Sequence, residues 1–120
     1  MAEFEKSNFN IIISQIIKKS LFTERQIQII LNQKSLSEFN FNISKGAYFR
    51  QVSQSREKLM GLFYSIILLR GLNVLLPDDI DVISRLAEQV SVIKDSDVFP
   101  EQEEQVINVI DKLVRQACGM

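Results

Sequence analysis

Apolar residues recur every three to four positions along almost the whole chain, the spacing of helices with one covered face. Phe4, Ile11, Ile12, Ile16 and Ile17 predict a first amphipathic helix over roughly residues 5–20. Leu21-Phe22 reads as a short joint. Thr23-Glu24-Arg25-Gln26 then fits a capping box, with Phe22 and Ile27 spaced to act as a hydrophobic staple. Ile27, Ile30 and Leu31 supply the covered face of this second helix, which the pattern ends near Asn32. Residues 33–42 are polar and rich in Ser and Asn, with Leu36, Phe39 and Phe41 as anchors and room for one turn of helix at most.

The third helix opens at the N-cap Ser44 and extends to about Leu69, long for a chain of this size. Tyr48, Val52 and Leu59 form its inward stripe. From Leu59 to Leu69 it is apolar on all sides, which predicts burial in a core or in a subunit interface. A core centred on Leu59, Leu62, Phe63, Ile66 and Ile67 follows. A membrane span does not, because the apolar run is short and ends at Arg70-Gly71. Gly71 to Pro77 is a connector in which Leu72–Leu76, the only strand candidate, fits a short wing-like turn. Pro77-Asp78-Asp79 starts a fourth helix over roughly residues 78–93, carried by Ile80, Ile83, Leu86, Ala87, Val90 and Ile93. A polar loop at Lys94–Asp97 leads to a fifth helix from Pro100, with Val106, Ile107, Val109, Ile110, Leu113 and Val114 on its apolar side. The fold class is therefore all-α, with about five helices and a long central one, in a single domain spanning residues 1–120.

Composition removes most chemistry. The chain has no histidine and one cysteine, Cys118, which reads as a small apolar residue and not as a reactive thiol. There is no glycine-rich phosphate loop, no Cys/His cluster and no nucleophile-base set. The carboxylates Asp78, Asp79, Asp81, Glu101, Glu103 and Glu104 gather at helix starts, where the dipole favours them. The expectation is a non-enzyme with no cofactor and no metal. Met-Ala-Glu-Phe-Glu-Lys at the N-terminus lacks the basic flank and apolar run of a signal peptide, so a cytoplasmic location is expected.

Charge changes the picture. Residues 1–70 hold ten Lys/Arg against five Asp/Glu, a net of +5, while residues 71–120 hold four against ten, a net of −6. The basic 1–59 part is expected to face nucleic acid, and the apolar and acidic 60–120 part to serve core and assembly. Lys45, Phe49, Arg50, Ser53 and Gln54 project outward from the first turns of the third helix if Tyr48, Val52 and Leu59 face in. Arg50 suits bidentate contact with guanine, Gln54 suits adenine, and Phe49 suits either a thymine methyl or packing on Phe39 or Phe41. Lys18, Lys19, Arg25, Lys34, Arg56 and Lys58 suit phosphates.

Residues 21–59 resemble the helix-turn-helix of the fourth conserved region of bacterial sigma factors and of related response-regulator output domains. Leu21-Phe22-Thr23-Glu24-Arg25 is similar to the Leu-Thr-Glu-Arg opening of that family's first helix. Ile43, Ser44 and Gly46 match the start of its recognition helix, and Arg56, Lys58 and Leu59 match the end, with Ser55 where the family has alanine. The family's middle helix, usually carrying Glu-Ile-Ala, has no counterpart in the shorter stretch from Gln33 to Asn42. The resemblance implies a transcriptional regulator that reads double-stranded DNA with the helix starting at Ser44. The apolar 59–69 segment and the acidic helices add the expectation of a homodimer, with a protein partner at the acidic half as a further option. The competing expectation is a helical protein-interaction module without DNA binding.

Overall fold

The computed structural model describes residues 9–97 and 99–120, so Phe4 and the first residues of the expected opening helix lie outside the described part. Five helices follow in order: α1 Ile11–Lys19, α2 Glu24–Gln33, α3 Lys45–Gly71, α4 Pro77–Ile93 and α5 Pro100–Cys118. The described residues include no strand, and the protein is all-α with a long central helix. Contacts group the chain into two units, one of Met1–Lys19 with Leu75–Met120 and one of Ser20–Val74.

The Ser20–Val74 unit is α2 packed on α3. Thr23 and Gln26 form the expected capping box: Thr23 Oγ1 accepts from the Gln26 amide at 3.1 Å, and Gln26 Oε1 accepts from the Thr23 amide at 2.9 Å. The helix stops in a Schellman motif. The Leu36 amide reaches back to the Leu31 carbonyl at 2.9 Å and the Ser35 amide to that of Asn32 at 3.1 Å. Ser35 pays for this turn with a left-handed φ of 57°, a conformation that glycine adopts freely. Ser35→Gly is expected to raise the stability of this unit by about 0.5 kcal/mol, read as a higher urea midpoint at unchanged slope.

Ser44 caps α3 by accepting from the Ala47 amide at 3.1 Å. The helix then runs two residues past the expected Leu69 and closes in a second Schellman motif. Here Asn73 takes the left-handed position (φ 64°), and the Val74 amide bonds the Leu69 carbonyl at 2.8 Å. Those bonds belong to a helix end, so residues 72–76 form a turn and no wing strand. The inward stripe is Tyr48, Val52, Ser55 and Leu59, and on α2, which packs on this helix, Ile29 is buried. Ser55 fills the gap in the apolar spacing and is only 1% exposed.

The expected core at the end of α3 is corrected. Leu59, Leu62 and Ile66 are half-buried, but Phe63 is 56% and Ile67 is 67% exposed. Burial in this helix is concentrated in its first half, at Val52 and Ser55. All-round apolarity requires cover on all sides, and the described residues leave one side of this segment exposed.

In the other unit α1 and α4 both pack on α5, with Ile12 and Ile17 buried. Asn10 sets the start of α1: its Oδ1 accepts from the Ile13 amide at 3.0 Å. The same side chain donates from Nδ2 to the carbonyls of Ile93 (2.8 Å), Lys94 (3.3 Å) and Ser96 (3.2 Å) at the end of α4. Pro77 occupies the first turn of α4, and Asp79 accepts from the Leu76 amide at 2.9 Å. Gly119, left-handed at φ 68°, ends α5. No helix among the described residues is long and apolar enough to cross a membrane.

Candidate nucleic-acid interface

The first half of α3 carries a polar, cationic outer face over a pinned inner one. Tyr48 is the inner pin. Its hydroxyl accepts from Asn32 Nδ2 at 3.1 Å and from Gln33 Nε2 at 2.8 Å, tying the end of α2 to the second turn of α3. Asn32 Oδ1 in turn accepts from the Phe39 amide at 3.3 Å, which holds the 34–44 connector. Phe39, Phe41 and Tyr48 form a ring cluster with centroid separations of 6.4 and 5.6 Å. The Arg25 guanidinium lies 5.0 Å over the Phe41 ring. The connector is thus an irregular segment fixed by side-chain amides and aromatic stacking.

Outside that inner stripe Lys45, Phe49, Arg50, Ser53, Gln54, Arg56 and Lys58 are all exposed. Phe49 is 52% exposed and meets Tyr48 edge-on at 5.5 Å. Lys58 Nζ donates to Gln26 Oε1 at 3.2 Å, the oxygen that also serves the α2 cap. Lys34 is exposed at the end of α2, whereas Arg25 is half-buried over Phe41. Nothing lies within 4 Å of where a Cβ on Gly46 would sit, so packing within the chain does not demand glycine there.

Lys18 and Lys19 fall in the other unit. Lys19 Nζ is 3.8 Å from Asp111, whose other oxygen accepts from Arg115 Nε at 2.7 Å. The Arg115 hydrogen bond holds the Asp111 carboxyl below its usual range against an opposing desolvation, with Lys19 adding a smaller contribution in the same direction. Counted by unit, Ser20–Val74 has seven Lys/Arg against three Asp/Glu, a net of +4, and the rest of the chain has seven against twelve, a net of −5. The charge asymmetry thus follows the two units, with α1 and its lysines on the acidic side.

Serine at position 55 breaks the apolar pattern, so spacing alone does not mark it as inward. Its Oγ and the Oε1 of Gln51, one turn before it, are buried and have no hydrogen-bond partner among the described residues. Alanine at this position removes an unsatisfied hydroxyl and favours the helix. Ser55→Ala is expected to stabilise the unit by about 1 kcal/mol in urea unfolding followed by circular dichroism.

Among the described residues no group of His, Cys, Asp and Glu side chains is arranged to hold a metal ion. A shallow depression of about 370 Å³ lined by Gln15, Glu103, Glu104, Ile107 and Asn108 lies in the acidic unit and brings no nucleophile or cation together. Comparison of the chain with protein-family models, with curated proteins and with solved structures gives no match.

Proposed function

We propose that the chain is a DNA-binding transcriptional regulator that lays the first half of α3 in the major groove. One observation carries this reading: Lys45, Phe49, Arg50, Ser53 and Gln54 face solvent on a helix whose reverse face is fixed to α2 by Tyr48, Val52 and Ser55. A rigid helix with a free donor-rich face is the geometry that base-edge readout needs. Arg50 and Gln54 read bases, and Lys34, Arg56 and Lys45 meet phosphates on either side. Gly46 keeps the first turn slim where the sugar-phosphate backbone comes closest. Lys18 and Lys19 belong to the other unit, and this reading does not draw on them. The reading makes the protein a cytoplasmic regulator that acts without a cofactor and works as a homodimer.

Gel-shift titration against random-sequence duplexes in low salt tests it. A shift at micromolar protein that weakens steeply with added salt is the expected result. No shift at tens of micromolar in low salt discards it. The second reading, a helical interaction module, draws on the acidic unit, where Ile83, Val92, Val109 and Val114 are each about half or more exposed. It requires that DNA binding be absent under the same conditions.

A further inference from the structure

The second half of α3 leaves an apolar arc uncovered. Met60, Phe63, Tyr64, Ile67, Leu68 and Leu72 are between 49% and 69% exposed, and no charged residue lies between Lys58 and Arg70. Large apolar and aromatic side chains expose roughly 150–250 Å² each when free, so these six leave roughly 600–700 Å² in the open. That exceeds the patch an ordinary monomer shows and approaches the ~800 Å² per partner of a standard interface.

We infer that this arc pairs with the same arc of a second copy, antiparallel, about a two-fold axis between Phe63 and Tyr64. In that register Met60 of each copy meets the partner's Ile67, and Phe63 meets the partner's Tyr64, so one patch is complementary to itself. Residue 56 falls opposite the partner's Gly71, where nothing lies within 4 Å of the Cβ position and a long side chain can pass. A parallel pair would instead set Lys45, Arg50, Arg56 and Lys58 of both copies side by side, like charge against like. The antiparallel overlap covers residues 56–71 and leaves 45–55 of each copy beyond its partner's end.

The spacing ties this arrangement to DNA, and that link rests on the proposed function. At a rise of ~1.5 Å per residue, the Arg50–Gln54 midpoint lies about 17 Å along α3 from the axis, and the two midpoints about 35 Å apart. That is one turn of B-DNA, the separation of two half-sites facing the same side of the duplex. At 3.6 residues per turn, Arg50 and Gln54 share the faces of Leu68 and Leu72, so it is their place beyond the partner's end, outside the 56–71 overlap, that keeps pairing from burying them.

Light scattering at tens of micromolar is expected to give twice the chain mass of 13.8 kDa, and a strictly monomeric chain overturns the proposal. Phe63→Glu with Ile67→Glu is expected to give a monomer of unchanged helicity, since both side chains are already exposed. A variant that stays dimeric overturns the assigned surface. On a Cys118→Ser background, a Met60→Cys chain mixed with an Ile67→Cys chain is expected to form the mixed disulfide; disulfides only between like chains overturn the antiparallel register. A duplex with two half-sites 10–10.5 bp apart is then expected to bind wild type cooperatively, and the double Glu variant one site at a time. A dimer that ignores DNA removes the proposed function and leaves the pairing standing, while a monomer that binds DNA does the reverse.

Discussion

Asn10→Ala is expected to lower stability by about 2–3 kcal/mol, as a drop in the urea midpoint followed by circular dichroism. The side chain serves two helix ends at once. Its Oδ1 caps α1 through the Ile13 amide, a role whose loss typically costs ~1 kcal/mol. Its Nδ2 supplies the last carbonyls of α4, with the bond to Ile93 at 2.8 Å the shortest. Two amide hydrogens satisfy at most two of those acceptors well, and each such bond is worth ~0.5–1.5 kcal/mol net. The partners fix the amide orientation, because the flipped group would turn oxygen towards carbonyls and nitrogen towards an N–H. Ser and Asp then separate the roles. Asn10→Ser keeps the cap and loses the donor, for about half the effect. Asn10→Asp keeps the cap but sets a carboxylate against the negative end of α4, and is expected to cost as much as alanine. Equal stability of the Ser variant and the wild type would show that the α4 bonds contribute nothing.

Under the DNA reading, Arg50→Ala or Gln54→Ala is expected to cost about 1–3 kcal/mol on the preferred site and to flatten base preference there. Both side chains are exposed, so folding is not the route of the loss. Arg50→Lys retains the cation without the bidentate fork, so it is expected to keep non-specific binding and lose preference. Lys34→Ala and Arg56→Ala are expected to weaken all sequences alike and to reduce the salt slope by about 1 each. Lys58 differs from them, because its Nζ also bonds Gln26 at the α2 cap. Its replacement is expected to lower the unfolding midpoint as well as affinity. Salt-titrated binding to a selected site and to a scrambled one separates the two classes. An Arg50→Ala loss equal on both duplexes would remove base readout from α3.

The helices themselves are legible along the chain because their boundaries are made by neighbours. Thr23 and Gln26, Ser44 and Ala47, and Leu76 and Asp79 each close a bond across three residues, and such a bond can be read from spacing alone. The outward set from Lys45 to Gln54 follows in the same way from the Tyr48 and Val52 stripe, since helical period fixes which side chains point together. Start and stop of α1 are a partial case: apolar period carries no mark at Asn10, whose cap also depends on α4 more than eighty positions away.

Three features were decided only in three dimensions. Ser55 is buried because it falls on the stripe of α3 that packs on α2, whatever its polarity. Lys18 and Lys19 stand beside the basic residues in the chain but fold with the acidic unit, since α1 packs on α5. Phe63 and Ile67 are exposed although their surroundings in the chain are wholly apolar. Hydrophobic pattern determines how much of a helix must be covered, because the free energy follows apolar area removed from water. It does not determine what does the covering, because that area term is non-directional and is satisfied equally by another helix of the chain or by a second molecule.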